Sequence, residues 1–450
     1  MNQPEAAGRE GDTARLYAAQ SAGSGQTAES GRLFSGPADL AGHVGAHGPL
    51  PGHDGPAILD AVDRSGLTGR GGAAFPTGRK MRAVVDATAR VRRSARQQGA
   101  VVVANGCEGE PASAKDRTLL TRAPHLVLDG IAAAARAIGA NRAHLCLHED
   151  EHALIQVVQL ALKERRSAGI DAVDVQIAAL PHRYVASEET SLIQFLDGGP
   201  AMPRFTPPRP FERGVAGRPT LVDNVETLAH VGLIARHGPA WFRASGMANA
   251  PGTALVTVGG AVTHPGVYEI SLGITGAELL ELAGGAAEPL QAVLTGGYFG
   301  AWLPESRFLA TRIAPKDLAA AGAAMGAGIF VALPRTSCAL AETARVARYM
   351  AEQSAGQCGP CINGLPALAG ALEALARRGD TRAPDYINSL APYVAGRGAC
   401  HHPDGTTRLI ASALSVFAAD VRTHLGRGPC AGTRRPSILP LPALAAEAHR

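Results

Sequence analysis

Residues 101–117 read Val101-Val-Val-Ala-Asn-Gly-Cys-Glu-Gly-Glu-Pro-Ala-Ser-Ala-Lys-Asp-Arg117. An apolar run that opens on three β-branched residues and ends in a polar turn predicts a short buried strand. Outward from it, residues 125–139 have helical spacing and 143–147 form a second apolar run. Residues 151–168 read as an amphipathic helix and 173–180 as a third strand. Strand, helix, strand, helix, strand predicts parallel pairing with helices on the faces, because parallel neighbours need a crossover. The expected fold class is α/β, with a doubly wound domain over roughly 57–249. Polar groups just past the carboxyl end of such a strand occupy the usual ligand crevice. Asn105, Glu108 and Glu110 therefore become candidate binding residues.

The chain has 450 residues, room for about three domains at about 150 residues each. Hydrophobic residues make up 46% and charged residues 18%, an ordinary globular balance. A net charge of +4, spread along the chain, argues against nucleic acid as a partner. The first residues contain no apolar core of a secretory signal, and no apolar run approaches about 18 residues. Direct membrane insertion is not expected. The expected location is cytoplasmic, at most peripheral to a membrane complex. Seven cysteines in such a chain read as thiols or metal ligands rather than a disulfide framework.

Residues 1–56 are rich in Gly, Ala and polar groups and are expected to be variable and partly flexible, with order beginning near Ala57. Residues 250–333 open on GTALVTVGGAVTHPGVYEI (252–270), a hairpin pattern, and form a small α+β module. Residues 334–428 are helical, with helices over 339–353, 364–378 and 407–425; 429–450 read as a loose tail. The proline-rich stretch 203–219 cannot be regular helix or central strand, and loops of this kind often cover a site.

Three constellations carry chemistry. Cys358-Gly-Pro-Cys361, with Cys400 beyond a helix that can fold back, fits cluster ligation. Zinc and a thioredoxin-like redox pair use the same spacing, but the redox pair wants a preceding strand. Cys107, Cys146 and Cys338 read as buried small hydrophobes. Second, the loop Gly66–Gly78 carries Gly69, Gly71 and Gly72, which let backbone N–H groups approach a phosphate. Arg70 and Lys80 add cationic donors, and the ending differs from a Walker A loop. Third, Ser187-Glu188-Glu189-Thr190 follows the third strand at the same sheet edge. Its carboxylates suit ribose and carboxamide hydrogen bonds; a solvated helix start is the plainer alternative.

Six segments then occur in order: GRGGAAFPTGRK, NGCEGEPASAKDR, YVASEETSLI, PTLVDNVETLA, HPGVYEI and GQCGPCING. Together they resemble the NADH-binding flavoprotein subunit of respiratory complex I and its relatives in NAD-reducing hydrogenases and formate dehydrogenases. The resemblance covers roughly 57–425. It implies a Rossmann-like FMN-binding domain, a β-grasp-like SLBB module and a helical iron–sulfur domain. It implies FMN and a [4Fe–4S] cluster as cofactors, NAD(H) as substrate, and other electron-transfer subunits or a ferredoxin as partners. Carried over by position, Gly69, Arg70, Gly71, Gly72 and Lys80 hold FMN, and Phe75 stacks on the dinucleotide. Asn105, Glu108, Glu110, Glu188, Glu189, Asn224 and Thr227 line the pocket, Glu108 and Glu188 as catalytic groups. Cys358, Cys361 and Cys400 ligate the cluster.

The departures are specific. Ala355 stands where the family has the first cluster cysteine, leaving one iron to Ser354, His401, His402 or water, or leaving a three-iron or empty site. Cys107 replaces an aspartate and Ser187 a glycine. No aromatic follows Lys80, and Arg209 replaces a phenylalanine. Base–aromatic stacking is worth about 1–3 kcal/mol per base, so these losses weaken dinucleotide binding. They motivate an alternative: an electron-transfer adaptor that does not use NADH and docks a ferredoxin or membrane reductase. A zinc-stabilised binding protein is a third reading.

Overall fold

The structure is a computed structural model that describes residues 31–92, 99–171 and 173–442. Four parallel strands, β1 (Val101–Asn105), β2 (Arg142–His148), β3 (Asp174–Leu180) and β4 (Thr220–Asn224), form one sheet in the order β3-β2-β1-β4. The three strands read from the sequence are present, and β1 is buried except at Asn105. β4 joins the other side of β1, so the direction of winding reverses between β1 and β4. That gap is the topological switch point, where ligands enter open α/β sheets.

One face of the sheet is covered by α2 (Gly55–Ser65), α3 (Thr77–Arg92), α4 (Lys115–Arg122), α5 (Pro124–Ile138), α6 (His152–Ser167) and the long α8 (Val225–Arg243), which share one aliphatic core, and α1 (Leu40–His47) rests on α5 and α6 outside that core. A smaller core on the other face takes in α7 (Glu189–Leu196). Order begins before Ala57. Leu33 is fully buried, and His43 on α1 reaches Asp129 inside the domain at 2.6 Å. Docking here runs through a polar contact, which apolar periodicity does not reveal. The expectation of flexibility over residues 1–30 lies outside the described residues.

The second sheet has the order β8-β7-β9-β5-β6, built from β5 (Thr253–Gly260), β6 (Gly266–Ser271), β7 (Leu290–Thr295), β8 (Ala301–Pro304) and β9 (Ile329–Pro334). β5 and β6 are the expected hairpin. α9 (Gly276–Leu282) starts on a capping box between Thr275 and Glu278. Short helices α10 (Glu305–Ala310) and α11 (Pro315–Ala320) complete this layer. The last block is helical, with α12 (Ala339–Glu352), α13 (Leu365–Arg378), α14 (Ala383–Val394), α15 (His402–Val416) and α16 (Ala418–Arg427). The tail is not loose as far as Leu441. Leu439 is fully buried, its N–H donates to Glu342 and its carbonyl accepts from Arg345. Residues 443–450 lie outside the described residues.

Candidate functional site at the switch point

Asn105 and Asn224 close β1 and β4 in register, so both amides stand at the mouth of the switch point. Asn224 caps α8 by accepting from the Glu226 N–H at 3.0 Å. Its Nδ2 donates to Asp116 at 2.6 Å and to the Asn105 carbonyl at 3.3 Å. Asn105 donates to the Ser187 carbonyl at 2.9 Å, tying the crevice to the turn before α7. Beneath lies Lys115, fully buried, donating to Asp116 at 2.7 Å and to Glu226 at 2.9 Å. Burial lowers the Lys115 pKa, but the two carboxylates outweigh it and hold the ammonium charged. Glu226 also accepts from the Leu255 N–H of β5 at 2.8 Å, so one buried network fixes the crevice floor and joins the two sheets.

The glycine loop folds over this floor. The Gly69 N–H donates to the Phe75 carbonyl, and the Arg70 N–H donates to Thr227 Oγ1 at 2.9 Å, fastening the loop to α8. Gly72 has φ +115°, a conformation that favours glycine. Added at Gly71, a Cβ would sit 3.3 Å from the Asn224 side chain, so the bare backbone is what keeps the loop against the crevice. The Arg70 guanidinium donates to Thr68 and to the Thr253 carbonyl in the buried seam, and its Nε has no hydrogen-bond partner. Lys80 reaches the crevice from α3. Its ammonium lies 3.5 Å from Asp223 and 3.6 Å from Glu189, and burial is outweighed by these carboxylates, which raise its pKa. Phe75 stands at the lip, 49% exposed.

The acidic residues divide. Glu188 caps α7, its Oε2 accepting from the Thr190 and Ser191 N–H groups, so the helix-start reading holds for its geometry. Glu108 accepts from the Ser113 hydroxyl and the Arg117 N–H. Glu110 turns toward the second sheet, accepting from the Tyr298 N–H between β7 and β8 at 2.6 Å, and also from the Tyr184 hydroxyl at 3.2 Å. Burial raises its pKa to about 8 despite these donors. Asp223, not singled out from the sequence, is buried beside Lys80 with an Oδ2 that has no partner, and the Ser191 hydroxyl is likewise orphaned. Its place just before Asn224, at the end of β4, is the signal that marks it. A separate cleft of about 520 Å³ opens between α7 and the proline-rich loop, lined by Thr190, Ile193, Arg204, Phe205 and Arg213.

The thiols gather next to this crevice. Cys358 and Cys361 have their sulfurs 3.6 Å apart, Cys361 on the π-helical turn Pro360–Gly364 that leads into α13 and Cys358 just before it. Burial raises the Cys358 pKa, but N–H groups of Cys361 and Ala399 bond its sulfur and bring it below its ordinary value. The Ala399 contact also brings the Cys400 segment alongside. Cys361 is pushed up to about 12 by burial and by Cys358, and Cys400 is raised by burial and faces Glu188 among other charges. Ala355 is buried. Of the candidate substitutes for its thiol, His402 holds the Met350 carbonyl through Nε2 and keeps a buried Nδ1 without a partner, and His401 meets Asp404 through Nδ1. The link between the two sites is short: the Tyr184 N–H donates to Gln353, two residues before Ala355, and the Tyr184 ring packs on Phe299 and His402.

The donor set fits the implied groups. Bare N–H groups, a lysine and orphaned oxygens on Asp223 and Ser191 match the phosphate and hydroxyls of a ribityl phosphate, and the adjoining Cys358 and Cys361 thiols with the Cys400 segment alongside match an iron–sulfur cluster.

Comparison with known proteins finds three matching regions. Residues 62–233 match the Nuo51 FMN-binding domain, 255–297 the SLBB domain, and 341–424 the NADH-ubiquinone oxidoreductase-F iron-sulfur binding region. An NADH-quinone oxidoreductase F subunit of Rhizobium meliloti is 32% identical over 386 residues, covering 83% of this chain and 90% of that protein. The corresponding F subunit of Mycobacterium tuberculosis is 31% identical over 394 residues, covering 85% and 87%. Among solved structures, an NAD+-reducing [NiFe]-hydrogenase in the H2-reduced state superposes with a TM-score of 0.76 at 31% identity. That match covers 83% of this chain and 64% of the hydrogenase chain. The chain belongs to the family of NADH-quinone oxidoreductase F subunits.

Proposed function

We propose that this chain is an NADH-oxidising electron-transfer subunit that binds FMN at the β1/β4 switch point and an iron–sulfur cluster at Cys358, Cys361 and Cys400. FMN supplies the conversion of a two-electron hydride from NADH into single electrons. The chain's own residues do the rest. The loop Gly69–Gly72 and Lys80 hold the phosphate end, Asp223 accepts from ribityl hydroxyls, and Asn105 and Asn224 face the ring end, with Thr227 anchoring the loop. Glu108, Glu188 and Glu189 set a negative field at the crevice and position its walls. In this reading Glu108 and Glu188 position those walls through the hydrogen bonds they accept, and Glu189 does so through its ion pair with Lys80. Phe75 and the 520 Å³ cleft under the proline-rich loop receive the dinucleotide.

The observation that carries this reading is the Tyr184 turn. One four-residue stretch holds Asn105 through Ser187 and reaches Gln353 beside the thiols through Tyr184. A hydride-accepting site and a one-electron site are thereby fixed to each other. No helix among the described residues is long and apolar enough to cross a membrane. The electron acceptor is proposed to be a further redox subunit, with a ferredoxin as a soluble alternative, docking on the helical block. Anaerobically purified protein is expected to carry FMN and iron and to reduce ferricyanide with NADH. Bound FMN that NADH leaves oxidised would overturn the NADH assignment.

A further inference from the structure

Three side chains outside the crevice and outside the cluster thiols converge at the far end of α12. Cys338 caps the start of α12 with its sulfur accepting from the Ala341 N–H, His424 projects from the last turn of α16, and Cys430 follows that helix. The Cys338 sulfur lies 3.6 Å from His424 Nε2, and the two sulfurs and Nε2 all fall within 4.8 Å of one another. Cys338 and His424 are buried and Cys430 is half-buried. Metal–ligand lengths of about 2.3 Å for sulfur and about 2.0 Å for nitrogen put donor atoms about 3.5–3.8 Å apart across a tetrahedral edge. The Cys338–His424 pair already has that separation.

The tautomer is set for ligation. His424 Nδ1 faces the Leu375 carbonyl at 3.4 Å, a second-layer bond that leaves the Nε2 lone pair turned to the two sulfurs. That lone pair now accepts the Cys430 N–H at 3.3 Å, a contact a bound ion would replace. The backbone around the group is held closely: a Cβ on Gly432 would lie 2.7 Å from the Cys338 nitrogen, so the turn after Cys430 is pressed on the Cys338 segment. α12 has 14 residues, about 21 Å of helix, with Cys338 at its start and the cluster thiols beyond its end.

We infer that Cys338, His424 and Cys430 form a second metal site, distinct from the cluster, that takes a borderline-soft, redox-inert divalent cation, zinc, and staples the C-terminal segment to the start of α12. Two sulfurs and one imidazole are the donors such an ion selects, and among the described residues no fourth Cys, His, Asp or Glu joins them, which leaves the fourth position to water. Binding forms two metal–sulfur bonds and one metal–nitrogen bond and releases the two thiol protons to solvent.

The test is metal analysis of the full chain purified anaerobically from zinc-supplemented medium, with its FMN and iron measured in the same sample. The wild type is expected to carry about one zinc per chain. Cys430→Ser and Cys338→Ala should lose it while FMN and iron stay, and Cys358→Ser should lose iron while zinc stays. Because Cys338→Ala also removes the cap of α12, cobalt(II) titration of the zinc-free wild type is the second reading. It should give sulfur-to-cobalt charge-transfer absorption that weakens by about half in Cys430→Ser, as expected for two thiolate ligands reduced to one. Zinc absent from the wild type, zinc unchanged in Cys430→Ser, or a Cys338–Cys430 disulfide in the anaerobic protein would each overturn the proposal. None of these results bears on FMN or NADH, so this site and the electron-transfer function fail separately.

Discussion

Asn105 and Asn224 stand in register at the ends of two neighbouring parallel strands, and the amide of Asn224 donates to the carbonyl of Asn105 across the point where the sheet reverses its winding. Asn224 simultaneously caps α8 and accepts from Lys115 at 3.2 Å. Strand end, helix start and buried charge network are thus fixed by one side chain. Asn224→Ala removes the cap and two polar partners of buried groups, and is expected to destabilise the fold by about 2–3 kcal/mol. FMN content should fall with it. Urea unfolding together with flavin quantitation checks this; an unchanged midpoint with full flavin would contradict the role.

Glu110 makes stability depend on pH with a defined sign. Burial raises its folded pKa to about 8 from an ordinary 4.5, against hydrogen bonds from Tyr298 and Tyr184 that lower it. Across that window the unfolded chain has released the proton while the folded chain holds it. Stability from this group therefore falls as pH rises from about 4.5 to about 8 and levels off above. The contribution is on the order of a few kcal/mol. Glu110→Gln should flatten the urea midpoint over this range relative to wild type, whereas parallel profiles would exclude Glu110 as the cause.

The dinucleotide side lacks an aromatic at Arg209, and Phe75 is left half-exposed at the lip. A stacking ring is worth about 1–3 kcal/mol. Arg209→Phe is therefore expected to lower KM for NADH roughly tenfold with kcat little changed, since stacking acts equally on ground and transition states. Steady-state kinetics with ferricyanide reads it, and a raised KM would place the adenine elsewhere.

At the cluster, Ala355 offers no donor, and His401 and His402 each have one ring nitrogen in a hydrogen bond, His402 keeping Nδ1 without a partner. One corner of a four-iron cluster is left to water, to Ser354 or to the second ring nitrogen of His401 or His402. Ala355→Cys should raise iron from about three to about four per chain and make the content resistant to air. Iron analysis with EPR before and after brief oxidation measures it. Equal content and equal decay in both proteins would show that the fourth corner already has a firm ligand.

The parts legible in the sequence are those with dense apolar runs or local motifs. β1 and most of β2 are visible because parallel strands buried on both faces read as aliphatic stretches, and β3, at the sheet edge and partly exposed, through the alternation of Val173, Val175 and Ile177. α3 is hidden because Arg79, Lys80 and Arg82 interrupt its stripe directly after the glycine loop. β4 is five residues long and follows a proline-rich stretch, so nothing around it has strand periodicity. α1 docks through His43 and Asp129, a polar pair that reads as surface. Arg70 and Glu188 are legible as candidates by type and position; the Glu188 cap is local to Thr190 and Ser191, whereas the Arg70 bond depends on Thr253, which only the folded chain brings near. Cys338, His424 and Cys430 carry no spacing motif at all; tertiary folding alone assembles them.

The most direct test of electron transfer through this chain is anaerobic rapid mixing of the FMN- and iron-loaded protein with NADH, followed by flavin absorbance and freeze-quench EPR. Flavin absorbance is expected to bleach first and a reduced iron–sulfur signal to appear after it, with both phases retained in Cys430→Ser and the second lost in Cys361→Ser. A flavin that stays oxidised under NADH while dithionite reduces it, or a cluster reduced with no preceding flavin phase, would contradict electron transfer by this route.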